Sequence, residues 1–391
     1  MSLPDTEQRD RDTNAKQHHD DSAPRRVVVT YSRGATGAPD GHEASTRREI
    51  AQRLAMVAGF AYEGEYDSAC NYAAPLYFVP SDTLTSETAL GLDIREEQDL
   101  FGGVVPHAFV ATKTITHPLF GATAHAPIGW SAEFPRRVAD IALEGFSAFA
   151  GDDALAAGRK LLQHGAVRVK PAAGIAGLGQ SVANDAAELV RALDAIDAEQ
   201  MSRSGVVIER NLLDVCTYSV GQVHVADIVA TYYGTQYLTR NHRGAEVYGG
   251  SDLIIVRGNF DALSALDVPA AARLAIAQAR AYDDAAMQCF DGFFASRRNY
   301  DVVQGVDAVG QHRSGVLEQS WRLGGASGAE VGALQAFAAD RFLSAVHATS
   351  REVYGASHPL PASADVYFRG IDPRIGPLTK YTVTEPYADT R

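Results

Sequence analysis

Gly174, Gly177 and Gly179 follow one another closely inside VRVKPAAGIAGLGQSV (Val167–Val182), and what flanks them constrains the fold more than any other stretch. A β-branched run ends in Lys170-Pro171 before the glycines, and a second short β-prone run follows them. The first helix signal comes only at Asp185, where Asp185 and Glu188 have the spacing of an N-cap and its N3 partner. A glycine loop that opens directly into a helix is the cradle of dinucleotide and P-loop folds. A glycine loop between two strands is a different device, a flap whose N–H groups can close over an anion because few Cβ atoms stand in the way. The order here is GxxGxG leading into a strand, which argues against a dinucleotide-dependent oxidoreductase.

The sequence of 391 residues offers two or three domains' worth of core. Its net charge of −13 excludes nonspecific nucleic-acid binding, which needs a basic face. No apolar run approaches the ~18 residues of a membrane span. Residues 1–25 are polar, mixed in charge and without the apolar core of a signal peptide, so they read as a disordered tail on a cytoplasmic protein. Cys70, Cys216 and Cys289 are isolated, which gives neither a disulfide framework nor a zinc site.

Ordered structure is expected from Arg26, with a strand through Val27–Tyr31, a helix over Thr46–Ala58 and a strand over Leu76–Pro80. That is a small α/β unit with a parallel sheet, assigned to 26–115. Residues 116–212 then carry helices at Asp153–His164 and Ala186–Ile196, the glycine-loop hairpin, and a strand Gly205–Glu209. Residues 213–391 carry alternating runs over Thr217–Val256 that suit an antiparallel sheet, followed by an Ala-rich helix at Pro269–Phe290. A hairpin around Val309-Gly310-Gln311, a helix from Ala329 to about Tyr354 and an irregular Pro-rich end complete that part.

Three motifs, in order, carry a resemblance to the ATP-grasp superfamily. RVKPAAGIAGLGQSV (Arg168–Val182) is similar to the family's strand, Lys-Pro and glycine loop; GVVIERNL (Gly205–Leu212) to its hinge strand ending in Glu. YDVVQGVDAVGQHRSGVLEQSWRLGGAS (Tyr300–Ser327) is similar to the closing hairpin whose acidic and amide side chains hold magnesium. The resemblance implies an α/β (α+β) fold of two α+β subdomains clamping ATP, preceded by a small α/β domain. It implies ATP with Mg2+, or Mn2+ in its place, as cofactors. It also implies a ligase that joins a small-molecule carboxylate to an amine or thiol, often as a homodimer. A kinase-like phosphotransferase, and a nucleotide-binding regulator without ligase activity, stand as alternatives.

The same resemblance distributes roles. Lys170 and Lys113 would contact phosphates under the Gly174–Gln180 flap, Glu209 the adenine edge, and Asp214 the ribose hydroxyls. Metal ligands would be Gln304, Glu318 and Ser320, with Asp301 and Asp307 taking over if the hairpin register differs. The family's Glu-x-Asn-x-Arg reads here as Glu318-Gln319-Ser320-Trp321-Arg322, and a hydroxyl is a poorer ligand than an amide carbonyl. Arg322 would reach the transferring phosphoryl group, as a bidentate guanidinium can. Arg240 and Arg243 would hold the second substrate's carboxylate. A polyphosphate with about four negative charges needs such fixed cations, N–H groups and metal ions. No Ser–His–Asp or Cys–His constellation competes with this reading.

Overall fold

The computed structural model describes residues 26–32, 41–172, 179–355 and 359–387; the expected tail, with Gly174 and Gly177 of the flap, lies outside them. Its largest element is an eight-stranded sheet in which all neighbours are antiparallel. From one edge to the other its strands are His312–Ser320, Arg297–Val306, Leu213–Val225, Ile228–Arg240, Glu246–Arg257, Ala345–Tyr354, Gly376–Pro386 and Asp365–Asp372.

Helix Ala270–Cys289 covers one face of this sheet and bonds to several of its side chains. Tyr300 Oη donates to Asp283 at 2.5 Å and Gln304 Nε2 to the Ala271 carbonyl at 2.8 Å. Helix Ser327–Ala339 covers the other face, where Glu330 meets Arg297. This helix is apolar nearly all round because it is buried on all sides, with helix His42–Ala58 on its outer flank. Gly328 and Gly332 let it approach the last strands closely, since a Cβ at either would press on Thr382 or Thr384.

The N-terminal unit is a parallel three-stranded sheet in the order Ala61–Glu65, Val27–Tyr31, Leu76–Pro80, as the α/β reading predicts. Its helix His42–Ala58 buries Ile50 and Leu54 in one core with Tyr232, Leu253, Phe337 and Val346 of the large sheet and its helix. The helix stops at Gly59, whose φ of +68° lets its N–H reach the carbonyls of Ala55 and Met56.

A second, smaller antiparallel sheet has the order Gly145–Ala148, Val206–Arg210, Val167–Pro171, Ser181–Ala183. Helices Gly151–Leu161 and Ala186–Asp194 pack on it through Leu161, Leu189 and Leu193. Asp185 caps the latter as predicted, accepting from the N–H groups of Ala187 and Glu188.

Two expectations fail. The helix predicted from Ala329 to Tyr354 ends at Ala339, and Ala345–Tyr354 is a strand. Its buried and half-exposed residues alternate at period two, a pattern that outweighs the helix propensity of its alanines. The irregular C-terminal end is also wrong, because Asp365–Asp372 and Gly376–Pro386 extend the large sheet, with Pro377 and Pro386 at the ends of their strand.

Candidate functional site

Both sheets meet at one short stretch, Val110–His117, whose two 3-10 turns are held from either side. From the large sheet, Gln319 Nε2 donates to the carbonyls of Val110 (3.0 Å) and Thr112 (2.8 Å). Its neighbour Glu318 receives the Lys113 ammonium at 2.6 Å. From the small sheet, Ser147 Oγ donates to the Thr114 carbonyl at 2.5 Å, and Glu209 Oε2 meets His117 Nε2 at 3.2 Å. His117 follows Lys113 by four positions, so the Glu318 and Glu209 anchor points are within reach of one segment at most ~14 Å long.

Glu209 is the electrostatic centre of the small sheet. Its other oxygen takes the Lys170 ammonium at 2.6 Å, and all three side chains are almost wholly buried. Burial alone would push this carboxyl up, but Lys170 and His117 more than offset it and hold it down at about 2. Lys170 and Glu209 lie on neighbouring antiparallel strands, which is why two residues far apart in sequence share a charge.

On the large sheet the observed register puts Asp301 opposite Glu318 and Asn299 opposite Ser320. A β-bulge after Asp301 places Val302 opposite Val316, leaving Leu317 as the extra residue. Arg297, Asn299, Asp301, Glu318 and Ser320 therefore share the face covered by helix Ser327–Ala339. Asp301 accepts from Gln236 Nε2 at 2.7 Å, and burial together with the Glu318 charge pushes its carboxyl up to about 7.

Gln304 does not belong to this group, contrary to expectation. It pairs with Ser314, on the opposite face, and its amide is spent on the Ala271 carbonyl. The reason is the two-residue period of a strand, since positions 304 and 301 point to opposite faces. Asp307 caps the hairpin turn instead, accepting from the N–H groups of Val309 and Gln311 and from Arg313. Ser320 lies on the right face, but its Oγ accepts from Arg297 Nη1 at 3.2 Å.

The remaining expected residues lie further out. Arg322 is part-exposed at the end of the hairpin, 3.6 Å from Asp82 of the N-terminal unit, with its carbonyl taken by Arg297 at 2.6 Å. Asp214 is exposed in a bulge at the start of its strand, with φ +51°. Arg240 ends the strand leading into the exposed tip of a hairpin and Arg243 lies in that tip, and Arg240 is roughly 13 Å along the strand from Gln236 at 3.3 Å per residue. Gly179, at φ +78°, is the one expected flap glycine within the described residues. His117, Gln236, Arg297, Asp301 and Gln319 are the contributors that motif spacing passed over or kept in reserve. Only the alternation of Arg297, Asn299 and Asp301 along one strand carried a local signal.

A family model described as "Protein of unknown function (DUF3182)" matches residues 28–382, nearly the whole described chain. The chain belongs to the DUF3182 family. No curated protein matches it in sequence. Among solved structures, it is similar to carboxyaminoimidazole ribonucleotide synthase from Aspergillus clavatus, complexed with ATP. That match has a TM-score of 0.50 and 14% identity over 93% of this chain and 94% of the other. The biotin carboxylase domain of Hydrogenobacter thermophilus 2-oxoglutarate carboxylase, in complex with MgADP and bicarbonate, matches with TM-score 0.50. Its identity is 14%, over 93% of this chain and 86% of the other. The fold of this DUF3182 member is the ATP-grasp fold, an α/β architecture.

The residues around Asp301 fit a divalent cation by the chemistry of their donors. Two carboxylates stand opposite each other on one face, and hard oxygen ligands are what magnesium takes. Among the described residues no cluster of three or more His, Cys, Asp or Glu adds to them. None of the described helices is long and apolar enough to cross a membrane.

Proposed function

We propose that this chain is an ATP- and Mg2+-dependent ligase acting in the cytoplasm. It would activate a small-molecule carboxylate as an acyl phosphate and pass the acyl group to an amine, or less often a thiol. The observation that carries the reading is the Val110–His117 segment, which ties a buried Lys170–Glu209–His117 cluster to a Lys113–Glu318–Asp301 cluster on the facing sheet.

In the first step a substrate carboxylate oxygen attacks the γ-phosphorus of ATP, and ADP leaves with the bridging oxygen. In the second, the amine nitrogen attacks the acyl carbon, inorganic phosphate leaves and the nitrogen gives up a proton. Lys170 and Lys113 place positive charge along the phosphates, with Gly179 and the rest of the flap supplying N–H groups. Glu209 orients Lys170 and offers an acceptor beside the adenine. Asp301 and Glu318 would hold the magnesium ion, which when bound neutralises charge on the phosphates. Arg322 would serve the transferred group by turning from Asp82, and Asp214, Arg240 and Arg243, which lie further out, would serve ribose and the second substrate. The protein contributes position and charge rather than a covalent nucleophile.

Release of ADP measured against a panel of carboxylates and amines tests the reading. Turnover should require both a carboxylate and Mg2+, and Glu318→Ala should abolish it while the circular dichroism spectrum stays native. Phosphoryl transfer that stops at a stable phosphate ester would instead make the protein a kinase. Mg2+-dependent ATP binding without turnover on any pair would make it a nucleotide-binding regulator.

A further inference from the structure

Beside the Asp301–Glu318 pair, the same face of the large sheet carries a buried charge system that the phosphoryl chemistry above does not use. Arg297 is 1% exposed and Glu330 is wholly buried. The Arg297 Nε and Nη2 atoms donate to the Glu330 carboxylate at 2.8–3.2 Å. Tyr232 Oη donates to the same carboxylate at 2.6 Å. The third nitrogen, Nη1, is turned toward the end of the hairpin and donates to the carbonyls of Ser320 (3.0 Å) and Arg322 (2.6 Å) and to Ser320 Oγ (3.2 Å).

Asn299, directly opposite Ser320, is also drawn into this network through its amide nitrogen. Its Nδ2 donates to Ser219 Oγ at 2.6 Å and to Tyr232 Oη at 3.1 Å, inside the same network. The two positions next to the carboxylates are thus a hydroxyl that accepts from a cation and an amide whose nitrogen is committed to buried partners. A magnesium ion demands several oxygen ligands in near-octahedral order and gains nothing from an oxygen already facing a guanidinium. The guanidinium is also fixed, because moving it would leave Glu330 charged and unpaired in the core.

We propose that the cleft takes one divalent cation with its nucleotide, held by Asp301 and Glu318, and that Arg297, by engaging Ser320, keeps that hydroxyl out of the shell of a second cation. The inference rests on the ATP reading above. Arg297 is a positioning residue here, fixed from behind by Glu330, which Tyr232 also holds. Ser320 belongs to its shell rather than to the metal's.

The test is a count. The full chain, saturated with the non-hydrolysable analogue AMPPNP, is titrated with Mn2+, and bound Mn2+ is followed by electron paramagnetic resonance. One Mn2+ per chain, without spin coupling between ions, is the expected result, and Glu318→Gln should weaken that site by more than about tenfold. Two spin-coupled Mn2+ per chain would overturn the proposal while leaving the ATP reading intact. Failure to bind AMPPNP with or without Mn2+, read by calorimetry, would overturn both. Ser320→Asn separates the two elements of the claim, because it restores an amide oxygen without touching Arg297. The count should stay at one, and a rise to two would show that the hydroxyl, not the guanidinium, excludes the second ion. Should that variant fail to fold, the wild-type count still decides.

Discussion

Glu209 is a carboxylate kept ionised in the core by two partners, and its pH behaviour follows from that. Its ordinary value of 4.5 falls to about 2 in the folded chain, because Lys170 and His117 outweigh the cost of burial. The unfolded chain therefore binds the proton more tightly. The stability that Glu209 contributes is complete above about pH 4.5 and is lost as the pH falls toward 2. Glu209→Gln should flatten this acid limb in urea unfolding followed between pH 2 and 5. At pH 7 the same variant should lose roughly 3–5 kcal/mol, since Lys170 is left buried without its counter-charge. An unchanged acid slope would rule out the assigned partnership. Both Lys170 and Glu209 were legible in the sequence as polar ends of apolar strands, each pointing to the cleft on its own. Their pairing was not, because it arises from strand adjacency, and His117 carries no local mark at all. Gln304 misled for a similar reason: side-chain chemistry nominated it, whereas strand parity decides which face it takes.

Sheet parity and backbone proximity also govern the elements. The Ala345–Tyr354 strand was hidden because its alanines favour a helix, yet its neighbours in the large sheet demand alternation. The central hairpin was readable, with its turn at Val309-Gly310-Gln311, but the one-residue bulge that brings Asp301 opposite Glu318 leaves no sequence signature. Where elements touch, glycine is fixed by space rather than by flexibility. A Cβ on Gly325, in the turn before helix Ser327–Ala339, would fall 2.3 Å from the Tyr248 ring. That ring is held by hydrogen bonds between its hydroxyl and those of Ser251 and Ser350. Gly325→Ala should therefore destabilise by about 1–3 kcal/mol through overpacking. Gly151, the first residue of its helix, has nothing within 4 Å of a built Cβ. Gly151→Ala should be neutral or gain up to about 1 kcal/mol from reduced unfolded-state freedom. Equal effects of the two substitutions in thermal unfolding would mean that the Gly325–Tyr248 contact does not limit packing.

At the scale of the whole molecule, one segment links two charge centres that belong to different sheets. Lys113 answers to Glu318 and His117 to Glu209, so an anion and a cation that bind between the sheets engage both cores through Val110–His117. Nucleotide and metal should consequently stabilise the chain as one ligand, each binding weakly without the other. Linkage gives the size of the effect. At a hundredfold excess over its dissociation constant, Mg·AMPPNP stabilises by about 2.7 kcal/mol. For 391 residues, with an unfolding entropy of ~2.1 cal/mol/K per residue, that is a rise in Tm of about 3 °C. AMPPNP with EDTA, or Mg2+ alone, should raise Tm by much less. Lys113→Met should abolish most of the shift by removing a phosphate partner. Glu318→Gln should remove its metal dependence and leave the smaller, metal-free shift. A full shift in EDTA would mean that the nucleotide is held without the hairpin carboxylates, and the joint engagement of the two sheets would have to be abandoned.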